Sequence, residues 1–473
     1  MANEKQLIRS ITEPTIELDD MSMIDVEEGT SKDAGFAKSD NKISKQLGAV
    51  LPYIRINGFS FQGEDIIEAT ISVRGNRPSF RCTVYVSDKS FYSKHYPKDG
   101  DLVSVLVRSK DDKLKPIRND YEITNVSNYS KGPEGSTEDT LSISGLLRIP
   151  GLDAEMCFSK KGTSMEALVS TCHDIGLGFS SNEVNTADTM SWICPFNTVN
   201  DFIFSIVNAS WKDTSSFFTY FIDQYYHLNF VNVNPLFSEQ AETDDGILFD
   251  NFTNDYSAGN STMKSTEKLL LSNISEYEGT SNYVKSASIN NFSAAINIRE
   301  GYKRYVQYYD SLIKEYQSIY VDPITSPDAE NNSIILKGRK DEDFYLKQVK
   351  HKWMGILYGN GENCHEKYLY AQIHNHQNLV HLNKIVLKVE LGQFNPNLRR
   401  GMVIPYIHTI RRDRTRKEAN TPEFITTQDS IGMTIDKFYS GYFKINSMDI
   451  VYRNGEMFQT LDLIRREWPT PVK

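Results

Sequence analysis

The histidines near residue 370 are the residues of this sequence whose type could hold a metal ion. His365, His374, His376 and His381 follow Cys364, in a stretch that we predict to be helical from His365 to about His381. On a helix with about 100° between residues, His374 and His381 share a face but lie about 10 Å apart, and His365 and His376 occupy the opposite face. Because no two of them could bind one ion together, we predict interface or surface histidines and no metal site. Stoichiometric bound zinc would contradict this.

Catalytic motifs are incomplete or missing from the sequence. HEKYL at 365–369 has Leu369 where a zinc-protease helix needs its second histidine. No G-x-S-x-G or G-x-x-x-x-G-K-[ST] pattern occurs. KDEDF at 340–344 carries several carboxylates, but a glycosidase pair depends on separation in space, so we interpret it as a solvated loop. We therefore predict a protein that is not an enzyme and that needs no cofactor.

One basic run, RRDRTRKE at 411–418, could contact a partner or a nucleic acid. It lacks interleaved aromatic residues and lies between predicted strands, so a charged loop at a subunit contact is favoured over nucleic-acid binding. If it lined a channel, it could touch passing DNA transiently. The candidate subunit or channel contacts come from this run and from the last strands: Arg411, Arg412, Arg414, Arg416, Tyr442, Arg465 and Arg466.

The amino-acid composition limits the classes of protein to which the chain can belong. At 473 residues it is long enough for roughly two to four domains, and its 26 Tyr and 24 Phe favour well-filled β-sheets. A net charge of −10 argues against a general nucleic-acid binder. No signal peptide or membrane span is expected, and five cysteines without C-x-x-C spacing predict buried reduced thiols.

The first 48 residues are predicted to form a flexible acidic arm, because they carry ten acidic against six basic residues. A disordered solubilising tail is one reading of this arm. Docking onto a partner subunit through scattered apolar side chains is the other. The candidate docking residues are Ile16, Leu18, Met21 and Ile24.

Strand-like segments with Gly, Asn, Asp and Pro between them fill Pro52 to Pro150 and indicate a sandwich or a barrel. Thr163 and Glu166 form a capping box that predicts a helix, and a second helix should begin at Asn197 or Thr198. The predicted division is an arm at 1–48, a first β-barrel at 49–150, a small α/β module at 151–235, an acidic surface loop at 236–266, strands of a second β-barrel at 267–310, an inserted α/β region at 311–383, and the rest of the second barrel at 384–473.

Two further points concern the secondary structure of one segment and the burial of the large aromatic residues. The segment 301–321, GYKRYVQYYDSLIKEYQSIYV, fits a helix or a long strand equally well. The large aromatic residues of the α/β module are predicted to be core residues rather than contacts to a partner. They are Trp192, Phe196, Phe202 and Trp211.

The C-terminus predicts a β-hairpin around Asn454-Gly455, the dipeptide that best tolerates a type I′ turn. The turn sets the pairs across the hairpin, which are Tyr452 with Met457, Val451 with Phe458, Met448 with Leu461, Asn446 with Leu463 and Ile445 with Ile464. Both faces are partly apolar, so the hairpin must belong to a larger sheet.

Two portions of the chain are similar to each other and suggest an internal duplication. DGDLVSVLV, YEITNV and TLSISGLLRIP recur as RGMVIPYI, YFKINSM and TLDLIRREWP. The matched residues are Gly100 with Gly401, Tyr121 with Tyr442, Leu141 with Leu461 and Pro150 with Pro469. Two such modules in each subunit would let a trimer present six quasi-equivalent barrels.

This order of segments resembles the central baseplate hub proteins of contractile-tailed bacteriophages, which are similar to the base of type VI secretion spikes. The stretches that carry the resemblance are YPKDGDLVSVLV, ISGLLRIPGL, MSWICPFNTVNDFIFSIV, FFTYFIDQYYHLNFVNV, LGQFNPNLRRGMVIPYI and the terminal hairpin, which together span most of residues 50–470. The resemblance implies an α+β, predominantly β fold with two tail-tube-like antiparallel β-barrel domains and inserted small α/β modules.

The resemblance also implies a role in the virion. It implies a homotrimeric structural protein of the tail baseplate, assembled in the bacterial cytoplasm, which joins the tail tube to the cell-puncturing spike and lets DNA pass through its channel. Its partners would be a spike protein that carries a lysozyme in some systems, the tail tube protein, and baseplate wedge and tape-measure proteins. The alternatives are a cell-wall-degrading tail enzyme, which a zymogram would reveal, and a carbohydrate-binding tail module, which glycan binding would reveal.

Overall fold

The computed structural model of the chain describes residues 8–18, 52–61, 63, 65–86, 90–107, 116–130, 139–236, 270–272, 283–301, 303–311, 313–322, 324, 349–357, 362–395, 398–411, 433–435 and 440–465. The acidic loop predicted at 236–266 lies outside these residues, apart from Leu236. So does KDEDF at 340–344.

Most strands of the described chain join one large, curled sheet. Its N-terminal strands are β2 (Tyr53–Ile56), β3 (Phe59–Phe61), β4 (Ile66–Val73), β5 (Ser79–Val86), β6 (Leu102–Val107), β7 (Ile117–Ser130) and β8 (Asp139–Leu147). Its C-terminal strands are β14 (Leu270–Ser272), β15 (Tyr283–Asn291), β19 (Ile385–Leu391), β20 (Val403–Arg411), β21 (Met433–Ile435), β22 (Gly441–Arg453) and β23 (Glu456–Arg465). The predominantly β fold is therefore confirmed.

Smaller elements lie beside this sheet. They are the strands β1 (Arg9–Thr12), β9 (Glu155–Gly162), β10 (Gly178–Ser181), β11 (Met190–Thr198), β12 (Phe218–Ile222), β13 (His227–Asn232), β16 (Lys303–Asp310), β17 (Glu315–Val321) and β18 (Val349–Leu357). The helices are α1 (Ser90–Lys94), α2 (Ser164–Asp174), α3 (Val199–Ala209), α4 (Ser293–Glu300) and α5 (Tyr368–Leu382). None of these helices has the length and apolar character needed to cross a membrane.

Two groups of five antiparallel strands have the same strand order. In the N-terminal module the order is β4-β5-β8-β7-β6, and in the C-terminal module it is β15-β19-β23-β22-β20. When the five strands of each module are numbered 1 to 5 along the chain, their order across the sheet is 1-2-5-4-3 in both modules. This shared topology supports the duplication that the sequence suggested.

The register of the two modules corrects the match at Tyr121 by one residue. Tyr121 pairs with Val103 in the N-terminal module, and Phe443 pairs with Ile404 in the C-terminal module. Both aromatic side chains are fully buried, whereas Tyr442 is partly exposed. Phe443, rather than Tyr442, is therefore the counterpart of Tyr121.

A β-bulge occurs at the same place in both modules. It follows Ile123 in β7 and Ile445 in β22, and in each case it lies three residues after the equivalent aromatic residue. The extra residues are Thr124 and Asn446. Because a bulge bends and twists its strand, both modules curl at equivalent positions.

The C-terminal module closes on itself. The pairings run from β22 through β23, β19, β15, β14 and β20 and return to β22, which makes a ring of six strands. Both pairings of β14 are parallel, and the other four are antiparallel. The strands of the N-terminal module do not form such a ring within the described residues; their sheet continues from β4 into β22.

The terminal hairpin turns at Asn454 and Gly455, whose φ angles are 53° and 81°. The pairs predicted nearest the turn are confirmed: Tyr452 with Met457, Val451 with Phe458 and Met448 with Leu461. The two predicted pairs beyond the bulge are wrong by one residue, because Asn446 is extra. Ile445 faces Leu463 there, and Lys444 faces Ile464.

The α/β region has the local structure that its capping residues predict. Thr163 and Glu166 form both hydrogen bonds of the capping box at α2, and Thr198 caps α3. The strands β12 and β13 form the predicted hairpin, and β10 adds to it in parallel. The ribbon of β9 and β11 packs against α2 and α3.

The segment 303–321 forms a hairpin of β16 and β17, and β18 completes a three-stranded sheet with them. The sequence left this segment open between a helix and one long strand. It also predicted that strands up to residue 310 contribute to the second barrel, which is wrong for β16. Alternating tyrosines fit a half-exposed strand as well as a helix face, so the local pattern could not decide.

Candidate assembly interface at the junction of the modules

The strand β22 connects the two β modules through backbone hydrogen bonds. One of its edges pairs with β23. The other edge changes partner: Gly441 to Lys444 pair with β20, and Met448 to Arg453 pair with β4 of the N-terminal module. The change lies at the Asn446 bulge. We call this region, together with the side chains that bridge it, the junction.

A charged side chain crosses the junction on the solvent side. Arg74, which follows β4, donates from Nε and Nη2 to both carboxylate oxygens of Asp449, at 2.6–2.9 Å. Its Nη1 donates to Asp462 of β23 at 3.0 Å. The hydroxyls of Ser72 and Ser447 donate to the same two carboxylates. We call Arg74, Asp449 and Asp462 the Arg74 bridge.

The Arg74 bridge is better built than an ordinary surface ion pair. The Asp449 and Asp462 side chains are only 14% and 17% exposed, so both carboxylates depend on protein donors. The hydrogen bond with Asp449 raises the pKa of Arg74. The bidentate geometry fixes the direction of approach as well as the distance. The bridge therefore adds side-chain hydrogen bonds to the backbone ladder between β4 and the terminal hairpin.

The loop before β20 attaches the junction to the α/β region. Arg400 lies over the ring of Phe221, with 4.7 Å from its guanidinium carbon to the centroid, and it donates to the carbonyl of Gly75. Burial lowers the pKa of Arg400 to about 10. Gly401 has a φ of +88°, and a Cβ there would lie 2.9 Å from Phe221. A glycine is therefore required for this close approach.

Lys444 lies buried beside this loop, next to an apolar cluster. Its strand neighbour Ile464 packs with Phe217 and Phe221 of the small sheet. Burial, and then the charge of Arg400, lower the pKa of Lys444 to about 7. No described residue provides a carboxylate within ion-pair distance of its ammonium group. The junction therefore contains a cation whose charge is costly.

The N-terminal segment docks onto its own chain. β1 pairs antiparallel with β10, and Thr15 donates its backbone N–H to Gly176. Ile16 and Leu18 pack against the main core. The prediction of a flexible arm is therefore wrong for residues 8–18. The edge of β10 pairs with residues 9–12, and Ile16 and Leu18 contact the core of the same chain. Met21 and Ile24 lie outside the described residues.

The predicted basic contacts are only partly within the described chain. Arg411 ends β20, where its Cα pairs with Met433 of β21, and Arg412, Arg414, Arg416 and Arg466 lie outside the described residues. Arg465 lies over the ring of Phe443 at 5.0 Å. Tyr442 is partly exposed on β22. Arg465 and Tyr442 thus lie on neighbouring strands at the β20 end of the junction, and their role as subunit or channel contacts stays a prediction.

The histidines in α5 and just before it are mostly buried rather than at the surface. His374 and His381 are each 1% exposed, and the His374 ring stacks on Tyr370 at 5.5 Å. His365 bonds through Nε2 to the carbonyl of Ala209 at 2.9 Å, and burial lowers its pKa. His376 is exposed. The described part of the chain contains no group of three potential ligands placed around one metal position.

The cysteines are all unpaired thiols, but they are not all buried. Burial raises the pKa of Cys82 to about 12 and that of Cys172 further. Cys157 is exposed and Cys364 is half-buried. The prediction of reduced cysteines fits these thiols, whereas the prediction that they are buried fails for Cys157.

Phe196 contradicts the prediction that the aromatic residues of the α/β module are core residues. Trp192 and Phe202 are buried, but Phe196 is 76% exposed and has a φ of 55° at the bulge of β11. Ile193 on the same strand and Met156 on β9 are also exposed. These side chains give the ribbon an apolar outer surface.

Sequence reasoning missed the junction. Arg74 and Asp449 are 375 residues apart, so no local pattern links them. The one signal that could have indicated the junction is that Asp449 and Asp462 lie inside predicted strands, where aspartate is disfavoured.

Comparison with known proteins gives similarity of fold rather than of sequence. No protein-family model matches the chain, and no curated protein is similar to it in sequence. Among solved structures, the 43 kDa tail protein of prophage MuSo2 from Shewanella oneidensis is similar with a TM-score of 0.50 and 10% identity, over 88% of this chain and 99% of that one.

Two further solved structures are similar at lower scores. The tail protein from Neisseria meningitidis MC58 has a TM-score of 0.49 and 11% identity, over 88% of this chain and 97% of that one. The E. coli c3393 protein, a type VI secretion component described as similar to the T4 bacteriophage tail proteins gp27 and gp5, has a TM-score of 0.39 and 8% identity, over 89% of this chain and 79% of that one.

The likeness to the MuSo2 protein extends over nearly the whole of that tail protein. This chain therefore has the fold of a phage tail protein. The expected fold class is confirmed.

Proposed function

We propose that this chain, which has a phage-tail fold, is the central hub of a tail baseplate. Three copies form a ring that joins the tail tube to the spike. The observation that carries the proposal is the duplicated five-strand module, which has the same strand order and the same bulge in both copies. Three chains with two modules each present six similar β units, which match a sixfold tube on one side and a threefold spike on the other.

The junction supports this role because a ring adaptor needs its two modules at a fixed angle. In the described chain, β22 forms backbone hydrogen bonds with strands of both modules. The Arg74 bridge adds side-chain hydrogen bonds from the end of β4 to β22 and β23. A binding protein with two independent modules would have no need of a shared strand. The proposed location is accordingly the virion tail, with a tube protein and a spike protein as neighbours.

The mass of the purified chain in solution tests the proposal. We expect light scattering to give three times 54.1 kDa, either for the chain alone or after a candidate spike protein is added. A persistent monomer in both conditions would contradict the hub. Asp449→Asn weakens the Arg74 bridge and should lower the trimer fraction, while Lys388→Met, at an exposed position on β19, should leave it unchanged.

Passage of DNA is the finer part of the proposal. The net charge of −10 disfavours retention of phosphate in a lumen. We propose that the basic run from Arg411 either holds neighbouring subunits or faces the channel. Charge reversal in this run separates the two: normal particles with lost infectivity would indicate a channel role, and failed assembly would indicate a subunit contact.

A further inference from the structure

The sheet of β16, β17 and β18 has one face buried against a helix and one face exposed. On the buried side, Val306 and Val321 pack with Ile373 of α5. The exposed side carries three cross-strand pairs in register between β16 and β17. They are Tyr305 with Tyr320, Gln307 with Ser318, and Tyr309 with Tyr316. We call these six residues the tyrosine face.

The rings of the tyrosine face pack in two pairs, and each pair has one strongly exposed ring. The ring centroids of Tyr305 and Tyr320 are 4.7 Å apart with a 44° tilt, and those of Tyr309 and Tyr316 are 5.3 Å apart with a 66° tilt. Tyr316 is 75% exposed and Tyr320 is 63% exposed. Two aromatic pairs side by side gather apolar area at one exposed surface, which is typical of a binding surface.

The polar groups between the rings are uncharged. Gln307 donates from Nε2 to the hydroxyl of Tyr305 at 3.1 Å, which holds the amide in the plane of the face. Charged groups lie at the margins, where Lys303 and Asp322 form an ion pair with each other at 3.1 Å. The six residues of the tyrosine face therefore supply ring faces, hydroxyls and an amide, and none of the six is charged.

This chemistry selects among possible ligands. An anionic polymer such as a nucleic acid needs unpaired cations, which the six residues do not include. An amphipathic helix needs an aliphatic groove, whereas this face is a flat strand surface. A sugar ring has apolar C–H faces that pack on aromatic rings and hydroxyls that exchange hydrogen bonds with phenol and amide groups.

We propose that the tyrosine face binds a neutral glycan chain. The two aromatic pairs lie four residues apart along β16, about 13 Å, so the ligand is an oligosaccharide rather than a single sugar. The proposal does not rest on the hub function, because the face belongs to one chain and requires no ring.

Binding of defined neutral oligosaccharides to the full chain tests the proposal. Chitohexaose and cellohexaose would be titrated by calorimetry into the wild type and into the double variant Tyr316→Ala, Tyr320→Ala. We expect at least one of them to bind the wild type and to bind the double variant at least tenfold more weakly, since two stacking contacts are lost. Tyr129→Ala is the matched control, because Tyr129 is 66% exposed on β7, and its affinity should equal that of the wild type.

Two further measurements make the test decisive. The double variant Tyr316→Phe, Tyr320→Phe keeps the rings and should retain most of the affinity. Absence of binding by the wild type to both sugars, or equal binding by the alanine variant, would overturn the proposal. Light scattering in which only the alanine variant loses self-association would also overturn it, because the face would then contact a second copy of the chain.

Discussion

Lys444 shows how burial alone can make one residue sensitive to pH. In the unfolded chain its pKa lies near the usual lysine value of about 10.4, and in the folded chain burial lowers the pKa to about 7. Between these values the unfolded state binds more protons than the folded state. The stability of the fold therefore rises as the pH increases from 7 towards 10.

We predict that Lys444→Met raises the free energy of unfolding at pH 7, because it removes the cost of a buried cation. The gain should shrink by up to about 1.4 kcal/mol per pH unit as the pH rises to 9. Urea unfolding at both pH values measures this, with Lys388→Met as an exposed control without such a pH trend. A variant that is less stable than the wild type at pH 7 would contradict the view that the charge of Lys444 destabilises the fold.

Phe196 combines a left-handed backbone with an exposed side chain, so neither packing nor conformation favours phenylalanine there. We predict that Phe196→Asn raises the free energy of unfolding by about 0.5–1 kcal/mol, because asparagine tolerates positive φ better. Ile193→Asn on the same strand is the control and should destabilise the chain, because its backbone is ordinary and a β-branched side chain is lost. Equal destabilisation by both variants would show that the positive φ angle of Phe196 does not lower the stability of the chain.

Among the elements, β22 is the one on which the arrangement of the modules depends. Two ion pairs connect it with β4 or the segment after it, and they differ in burial. The Arg74 bridge uses largely buried carboxylates, whereas the Arg453–Glu68 pair has side chains that are 53% and 38% exposed. The two ion pairs therefore allow a buried and an exposed pair to be compared between the same two strands.

We predict that Arg74→Ala lowers the free energy of unfolding by about 1–3 kcal/mol, since it leaves Asp449 and Asp462 without their cation. Arg453→Ala should cost less than about 1 kcal/mol, as for other exposed pairs. Chemical denaturation of both variants, at low and at high salt, measures the difference. If the two variants cost the same, the Arg74 bridge contributes no more than a surface ion pair.

At the scale of the whole molecule, the shared strand makes the two modules one structural unit. Hydrogen exchange in moderate urea should give the same opening free energy for the amides of β5 and of β19, because unfolding either module breaks bonds to β22. In Arg74→Ala the two values should separate. Different opening free energies for β5 and β19 in the wild type would mean that the modules open independently, which would contradict a rigid adaptor.

The duplication also shows how much of the overall architecture could be predicted from the sequence. The alternation and the matched segments predicted two related β modules, and the topology agrees. The match was one residue out at Tyr121, because it paired tyrosine with tyrosine, whereas the buried position opposite Ile404 is taken by Phe443. A one-residue shift moves a strand side chain to the other face of the sheet, and only the register shows which face is buried.

Sequence by itself determined the features that depend on residues a few positions apart. These are the capping box at Thr163, the helix start at Thr198, the Asn454-Gly455 turn and the pairs next to it, since each is set by local backbone chemistry.

Tertiary structure alone decided the rest. It determined the change of partner along β22, the contact of Arg74 with Asp449, the burial of Lys444 and the docking of residues 8–18 on β10. Each of these depends on which distant strand is adjacent in space, and that is decided by the free energy of packing the whole sheet rather than by any short segment.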